Sequence, residues 1–518
     1  MNSKILLITG RRAEDLVKKN ATQARIETVV RVLPISIASF INLSLFLREL
    51  KNEDLGEFSM ILVPGLVEFD LKKAEEEIGT PVFKGPKHAA DISLVLNNLD
   101  ELELSKETPA SELLKDDLSA AAEKLLNRMK EKSIEGINET ANFKIGEGKR
   151  SVVAGPEFPP RIVAEIIDAP NLSDEELIDI GKRYVKEGAE ILDIGMTTKE
   201  DMSQEIPRMI SLLRENFDVP LSIDTTNEKE IKTAAENGID LVISIDGSTI
   251  ENFKRFETPS VIIPRNPKED YYPVDPEEKI NYLEKLLKKA ENLGFEHPIL
   301  DPILEPIGKG FVDSFLAYNE LRNRNPDTSV FMGIGNVIEL FDADSIGMTA
   351  LLLGSATEMN VDFVLSVEGS NKTRGNISEI STARDMMTLA ESRDSVPKDL
   401  GLDLLRFKEK RKLSDPYERE IEKDAKVIEA TGKGEFTRDK KGFFRIFTQG
   451  SNIIAVFHSF HDDNIIIKGK TAGAVLKEIL KRELISELSH AAYLGRELEK
   501  AEIAIRTDRG YIQEEKIF

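Results

Sequence analysis

Three aspartates stand where short β-branched runs give way to loops. They are Asp193 in Ile191-Leu192-Asp193-Ile194-Gly195, Asp224 in Ser222-Ile223-Asp224-Thr225, and Asp301 in Ile299-Leu300-Asp301-Pro302. Asp168 follows Ile166-Ile167, and Asp246 closes Ser244-Ile245-Asp246-Gly247. An aspartate at a strand end is often a helix cap, so each is ordinary alone. Recurring after successive runs, they gather carboxylates and small polar groups on one rim. A carboxylate in a dry pocket needs a cation or a multi-donor partner, so the chemistry is recognition of an amidine-like edge. Lys372 and Arg374 follow a later run in a segment rich in Gly, Ser and Asn, and suit an anionic tail. Gly333-Ile334-Gly335-Asn336 follows another run, Thr198-Lys199 follows Gly195, and Lys309 lies in Gly308-Lys309-Gly310.

These residues need elements to position them. The pattern predicts strands at Ile162–Ile167, Glu190–Ile194, Pro220–Ile223, Leu241–Ile245, Ser260–Ile263, Pro298–Leu300, Ser329–Met332 and Asp362–Leu365, with helical periods between them. Eight strand–helix units in roughly 235 residues match the ~250 typical of a (β/α)8 barrel, whose sites form at the C-terminal ends of its strands. A doubly wound open sheet is the alternative. The fold class is therefore α/β, with a central TIM barrel at 151–398. A small α/β domain precedes it at 1–150, with strands predicted at Ile5–Ile8, Ile26–Val32, Met60–Val63 and Pro81–Phe83 and a charged helix at Pro109–Lys132. An α+β domain follows at 399–518, opening on the charge run Lys408–Lys412 and closing on a strand pair at Ala504–Arg506 and Tyr511–Gln513.

Composition narrows the chemistry. The chain of 518 residues carries 70 Lys and Arg against 93 Asp and Glu, a formal charge of −23, which argues against a general nucleic-acid binder. It has no Cys, which excludes disulfides, iron–sulfur clusters and thiol catalysis. Its start lacks the apolar length of a signal peptide, and Val29–Leu47 carries Arg31, Pro34 and Asn42 where a membrane span would be apolar. A cytoplasmic protein is expected. In the N-terminal domain, Thr9-Gly10-Arg11-Arg12 follows the first strand and could cradle a phosphate at a helix N-terminus, but it lacks a glycine fingerprint and reads first as a structural turn. Pro64-Gly65 and Gly85-Pro86-Lys87-His88 also close strands and could face one crevice, although turn chemistry explains them equally well. His458 and His461 have ligand types at close spacing without a third strong ligand.

The segments around Asp224 and Asp301 resemble two signatures of dihydropteroate synthase, and the Asp193 segment resembles a third. The resemblance spans about residues 160–395, and the whole chain resembles the longer dihydropteroate synthase-related proteins of methane-producing archaea. It implies a pterin-binding transferase that joins a dihydropterin-methyl diphosphate to an arylamine, in folate or tetrahydromethanopterin biosynthesis. By that resemblance Asp224, Asp301 and Asp193 hold the pterin, with Ser244, Asp246, Gly333 and Asn336 around it. Asp168 helps hold Mg²⁺ and the leaving diphosphate, and Lys372 and Arg374 meet the diphosphate charge. Thr198, Lys199 and Lys309 serve the second substrate or an anion. A homodimer is usual for the family.

The sequence departs from that family in places. No His follows strand eight, where the family has an Arg-x-His pair, and Lys372-Thr373-Arg374 stands there instead. After strand seven, Gly335-Asn336 replaces a Ser-Arg-Lys segment and resembles the pterin-dependent methyltransferases. The alternative is therefore a methyl-tetrahydropterin-dependent methyltransferase module with a corrinoid protein as partner, or a non-catalytic pterin-binding protein.

Overall fold

The computed structural model describes residues 4–100, 102–114, 119–120, 122–127, 142–253, 256–408, 417, 420, 423, 426–430 and 437–518. Residues 115–118, 121 and 128–132 of the predicted helix at 109–132, and all but Lys408 of the charge run, lie outside these residues. The chain divides into two units, one of residues 1–367 and 375–404, the other of 368–374 and 405–518.

The first unit begins with four parallel strands, β1 Lys4–Gly10, β2 Thr28–Leu33, β3 Phe58–Val63 and β4 Val82–Lys84, in the order β2-β1-β3-β4. An antiparallel hairpin follows, β5 Phe143–Glu147 and β6 Arg150–Ala154. Gly146-Glu147-Gly148-Lys149 forms the tip of this hairpin. A Cβ at Gly146 (φ 77°) would come 2.1 Å from the Arg150 carbonyl oxygen, so only glycine fits there.

Eight parallel strands then form the barrel: β7 Arg161–Ile166, β8 Ile191–Gly195, β9 Leu221–Asp224, β10 Leu241–Ile245, β11 Ser260–Ile262, β12 Pro298–Leu300, β13 Phe331–Gly333 and β14 Phe363–Val367. Leu300 bridges to Val330 and joins the two ends of the ring. Strand alternation sorts the side chains into two cores. Ile162, Ala164 and Ile166 face the surrounding helices, while Val163 joins Ile191, Ile243, Val261, Ile299, Phe331 and Phe363 inside the barrel. Ile145 and Ala154 of the hairpin pack into that inner cluster, next to residues from the start of the strands. The apolar floor leaves the upper barrel for polar residues. The helices are set by local chemistry. Asp174–Glu187, for example, starts on a Ser173–Glu176 capping box and stops at Gly188 in the left-handed region.

The second unit holds an antiparallel sheet, β15 Gly442–Gln449, β16 Asn452–Ser459 and β17 Ile465–Gly469, with helices Ala472–Lys481 and Leu488–Arg506 packed on its inner face. The expected strand pair at its end is absent. Leu494, Leu498 and Ala501 are buried at helical spacing, so the helical period carries through Ala504–Arg506. Gln513 reaches the β15 edge with its side chain: its Oε1 accepts from the Ile446 amide at 2.9 Å and its Nε2 donates to the Phe444 carbonyl at 3.2 Å. No helix among the described residues is long and apolar enough to cross a membrane.

Candidate functional site

Above the apolar floor, inward positions of the barrel strands carry carboxylates. Asp193 on β8 is fully buried. Its Oδ1 accepts the Ser222 hydroxyl at 2.6 Å, and its Oδ2 is buried with no hydrogen-bond partner. Asp224, at the end of β9, accepts the Ser244 hydroxyl at 2.6 Å. Alternation would turn Ser244 outward. Its positive φ of 74° and a shift in the β10–β11 register turn it to Asp224 instead. Asp301 follows β12 and accepts the Ile303 amide at 2.7 Å and the hydroxyl of fully buried Tyr318.

Ile303 is β-branched and has φ 64°, a costly conformation that persists only when neighbours over-determine it. Both its backbone groups are held: the amide by Asp301, and the carbonyl by the buried Lys279 ammonium at 3.2 Å. Lys279 also pairs with Glu305 at 3.1 Å. The helix after strand five thus fixes the loop that aims Asp301.

The sequence reading did not single out Glu165, an inward residue of β7 in register with Asp193. A Cβ on Gly195 would stand 2.5 Å from its Oε1, so the glycine makes room for it. Burial, reinforced by the Asp224 charge, pushes the Glu165 carboxyl up to about 7. Burial also raises Asp193 well above the carboxylate range, helped by Asp224 and Glu165. Asp224 is raised by burial against the opposing pull of Ser244 and Arg265. Burial takes Asp301 up to about 6, against donors from Tyr318 and Ile303. These four carboxyls cannot all ionise in so dry a space. The site can retain protons, and it can accept hydrogen bonds from a donor-rich edge.

Asp246 plays a different part. Its oxygens accept from Ser248 (amide 2.9 Å, hydroxyl 2.6 Å) and from the Arg265 guanidinium at 3.1 Å. It builds the loop after β10 and aims Arg265, which lowers Asp224 electrostatically. Gly333 lies on β13, where a Cβ would touch Leu365 at 3.9 Å, and Asn336 is exposed on the short helix Gly335–Glu339.

None of the remaining expected residues is buried. Asp168 is exposed, with φ 52°, and accepts from the Asn171 side chain at 2.9 Å. Thr198, Lys199 and Lys309 are exposed loop residues. Lys372 and Arg374 fall in the stretch that groups with the second unit, where Arg374 pairs with Asp508 at 3.2 Å. No three His, Asp or Glu side chains among the described residues are arranged to hold a metal.

Of the missed residues, Arg265 follows strand five and was open to the strand-end reading applied elsewhere. Glu165 was signalled by a charge inside an apolar run at inward parity. Tyr318 and Lys279 act from helices and had no local signal.

Residues 167–342 match the pterin binding enzyme family, 438–514 match PterinBD-DUF4346, and 3–87 match a family of unknown function (DUF6513). An uncharacterized protein of Methanocaldococcus jannaschii is 36% identical over 99% of this chain and 99% of its own length. The chain belongs to the dihydropteroate synthase-related pterin-binding proteins. Within that family it is a long member. It matches dihydropteroate synthase of Clostridium beijerinckii at 28% identity over 28% of this chain and 60% of the synthase. For dihydropteroate synthase of Synechocystis the figures are 39% identity, 14% and 24%. Among solved structures, dihydropteroate synthase of Xanthomonas albilineans in complex with 7,8-dihydropteroate is 16% identical, with a TM-score of 0.38 over 49% of this chain and 99% of that one.

Proposed function

We propose that the barrel binds a pterin by its guanidine-like edge and joins a dihydropterin-methyl diphosphate to an arylamine. The observation that carries this is Asp193 Oδ2, a buried carboxylate oxygen with no partner among neighbouring carboxyls. A buried acceptor left unmet is costly, and an amino-pyrimidinone edge supplies the missing donors. Asp301 and Asp224 line the same interior and take the rest of the ring's donors.

In the reaction, the bond between the pterin methylene carbon and the diphosphate oxygen breaks, and its electron pair leaves with diphosphate. The arylamine nitrogen then bonds to the methylene carbon and releases a proton. Burial around the carboxylates excludes water from the electron-poor pterin. Asp168 alone cannot hold Mg²⁺, but Mg²⁺ is often bound by one carboxylate with phosphate oxygens and water, so this residue fits a diphosphate-borne ion. The ion would neutralise leaving-group charge.

The test is calorimetry with 6-hydroxymethyl-dihydropterin. Asp193→Asn should lose about ten- to a hundredfold in affinity with the fold retained, as expected for one charge-assisted contact. Unchanged affinity would refute the pocket. Diphosphate release with the pterin diphosphate and 4-aminobenzoate then tests the reaction. A second reading, methyl transfer from a methyl-tetrahydropterin to a corrinoid partner, is favoured by Arg374, whose guanidinium is engaged by Asp508. Methyl transfer to cobalamin without diphosphate release would decide for it.

A further inference from the structure

The N-terminal sheet has the order β2-β1-β3-β4, all parallel, so the chain leaves β1 to one side for β2 and to the other for β3. In open α/β sheets, ligands bind beyond the carboxyl ends of the strands at this reversal. A cavity of about 90 Å³ lies there, walled by the last residues of β1 and β3 and by the turn after β4. Small residues leave the space: Ala13, Ala38, Ala89 and Gly85 line it beside Pro64 and Pro86. At ~10–15 Å³ per water, it has room for one ring and none for a whole dinucleotide.

Two polar features give this space a chemistry. Thr9 lines it and is 1% exposed, yet its hydroxyl reaches only the neighbouring Gly10 carbonyl, at a long 3.4 Å. The Thr9 side chain thus has donor and acceptor capacity to offer inside an apolar wall. Arg11 and Arg12 lie between the lining residues Thr9 and Ala13. Their amides donate to the Ile35 and Ser36 carbonyls, their side chains are exposed, and neither makes an ion pair among the described residues. Lys87, which lines the cavity, is already paired with Glu112 at 2.5 Å. The available positive charge is therefore that of two arginines, the side chain suited to phosphate.

We propose that this crevice is a second small-molecule site, distinct from the barrel, that takes a phosphate monoester bearing an aryl or heteroaryl ring. The ring occupies the cavity against Thr9, and the phosphate meets Arg11 and Arg12. A mononucleotide has this chemistry; free phosphate shares only the anionic half.

Calorimetry on the full chain with AMP, GMP, UMP, phenyl phosphate, adenosine and inorganic phosphate tests it. At least one ring phosphate should bind about tenfold more tightly than inorganic phosphate. Arg11→Gln/Arg12→Gln, on an exposed turn, should weaken that ligand about tenfold while leaving the unphosphorylated ring compound unchanged. Ala13→Leu, which fills the cavity, should abolish binding of the ring phosphate with circular dichroism preserved. If Ala13→Leu misfolds, the arginine pair still decides the matter. The proposal is overturned if no ring phosphate binds at about 5 mM, a concentration well above ordinary ligand dissociation constants. It is equally overturned if inorganic phosphate binds as tightly as the ring phosphates, or if the arginine substitutions leave ring-phosphate affinity unchanged.

Discussion

At the scale of single residues, the barrel's interior is a problem of protons. Asp301 rises to about 6 through burial, and Glu165 to about 7 through burial and the Asp224 charge. A ligand that donates to these carboxyls favours their ionised forms, so its binding expels protons. Pterin affinity should therefore climb from pH 5 to pH 7 and level off above it, and calorimetry in buffers of different ionisation enthalpy should register proton release near pH 6. A flat profile would show that these groups do not face the ligand. Stability has its own sign. The folded state raises the Glu165 pKa, so this group's stabilising contribution is full below its unfolded value near 4.5 and is lost as pH rises through about 7. Glu165→Gln should thus melt higher than the parent at pH 8, by the equivalent of ~3 kcal/mol, and with little difference at pH 4. Strand endings made Asp224 and Asp301 legible in the sequence, and Asp193 was legible as an aspartate closing a β-branched run although β8 carries it in its middle. Glu165 lies inside its strand, where only inward parity marks it. Asp246 was legible as an aspartate, but its engagement with Ser248 and Arg265 depends on a loop conformation that no spacing reveals.

Elements explain why these residues meet. The eight barrel strands were readable because each is a short β-branched run followed by a helical period, and the chain closes them at the Leu300–Val330 bridge. The hairpin Phe143–Ala154 was not readable as part of that barrel, because its ten or so residues carry no helix-length signal and its partners lie throughout the next 220 residues. Yet Ile145, fully buried, joins the inner cluster with Val163, Ile299 and Phe363. Truncation at such a site leaves a cavity. Ile145→Ala should cost ~2–5 kcal/mol, and chemical denaturation should show the loss without a change in pterin affinity, since the floor lies below the carboxylates. If affinity fell with stability intact, the hairpin would be acting on the site itself. Tyr318 makes the complementary case. Tyr318→Phe deletes a donor to Asp301 and leaves that buried carboxyl short of one hydrogen bond, so the Asp301 pKa should rise further. The pH at which pterin affinity levels off should then move upward, while the melting temperature falls by the equivalent of ~1–3 kcal/mol.

The first unit as a whole depends on how its N-terminal sheet meets the barrel. Asp91, 4% exposed at the end of the short turn Ala89–Asp91, pairs with Arg393 at 2.6 Å, just past the barrel's last helix, Asn376–Ser392. The partners are 302 residues apart, a contact no local pattern in the sequence could disclose. Asp91 Oδ2 and Arg393 Nε are both buried without partners, so this ion pair is only half satisfied. Burial raises the Asp91 carboxyl to about 6, with Arg393 opposing. Removing one member of such a pair leaves an uncompensated charge and typically costs ~3–5 kcal/mol, whereas replacing both with apolar groups is often neutral or stabilising. Arg393→Met alone should therefore be strongly destabilising, and Asp91→Leu/Arg393→Met should recover most of the loss. The pH dependence has a definite sign. Without Arg393, the folded-state pKa of Asp91 climbs above about 6, so the single variant's deficit is small at pH 4, where Asp91 is protonated in the folded state and still partly protonated in the unfolded one, and grows toward pH 8. Hydrogen exchange should place the added opening in the N-terminal strands and leave the barrel interior protected. Equal deficits at both pH values, or a double variant no better than the single, would mean that packing and not the ion pair joins the sheet to the barrel.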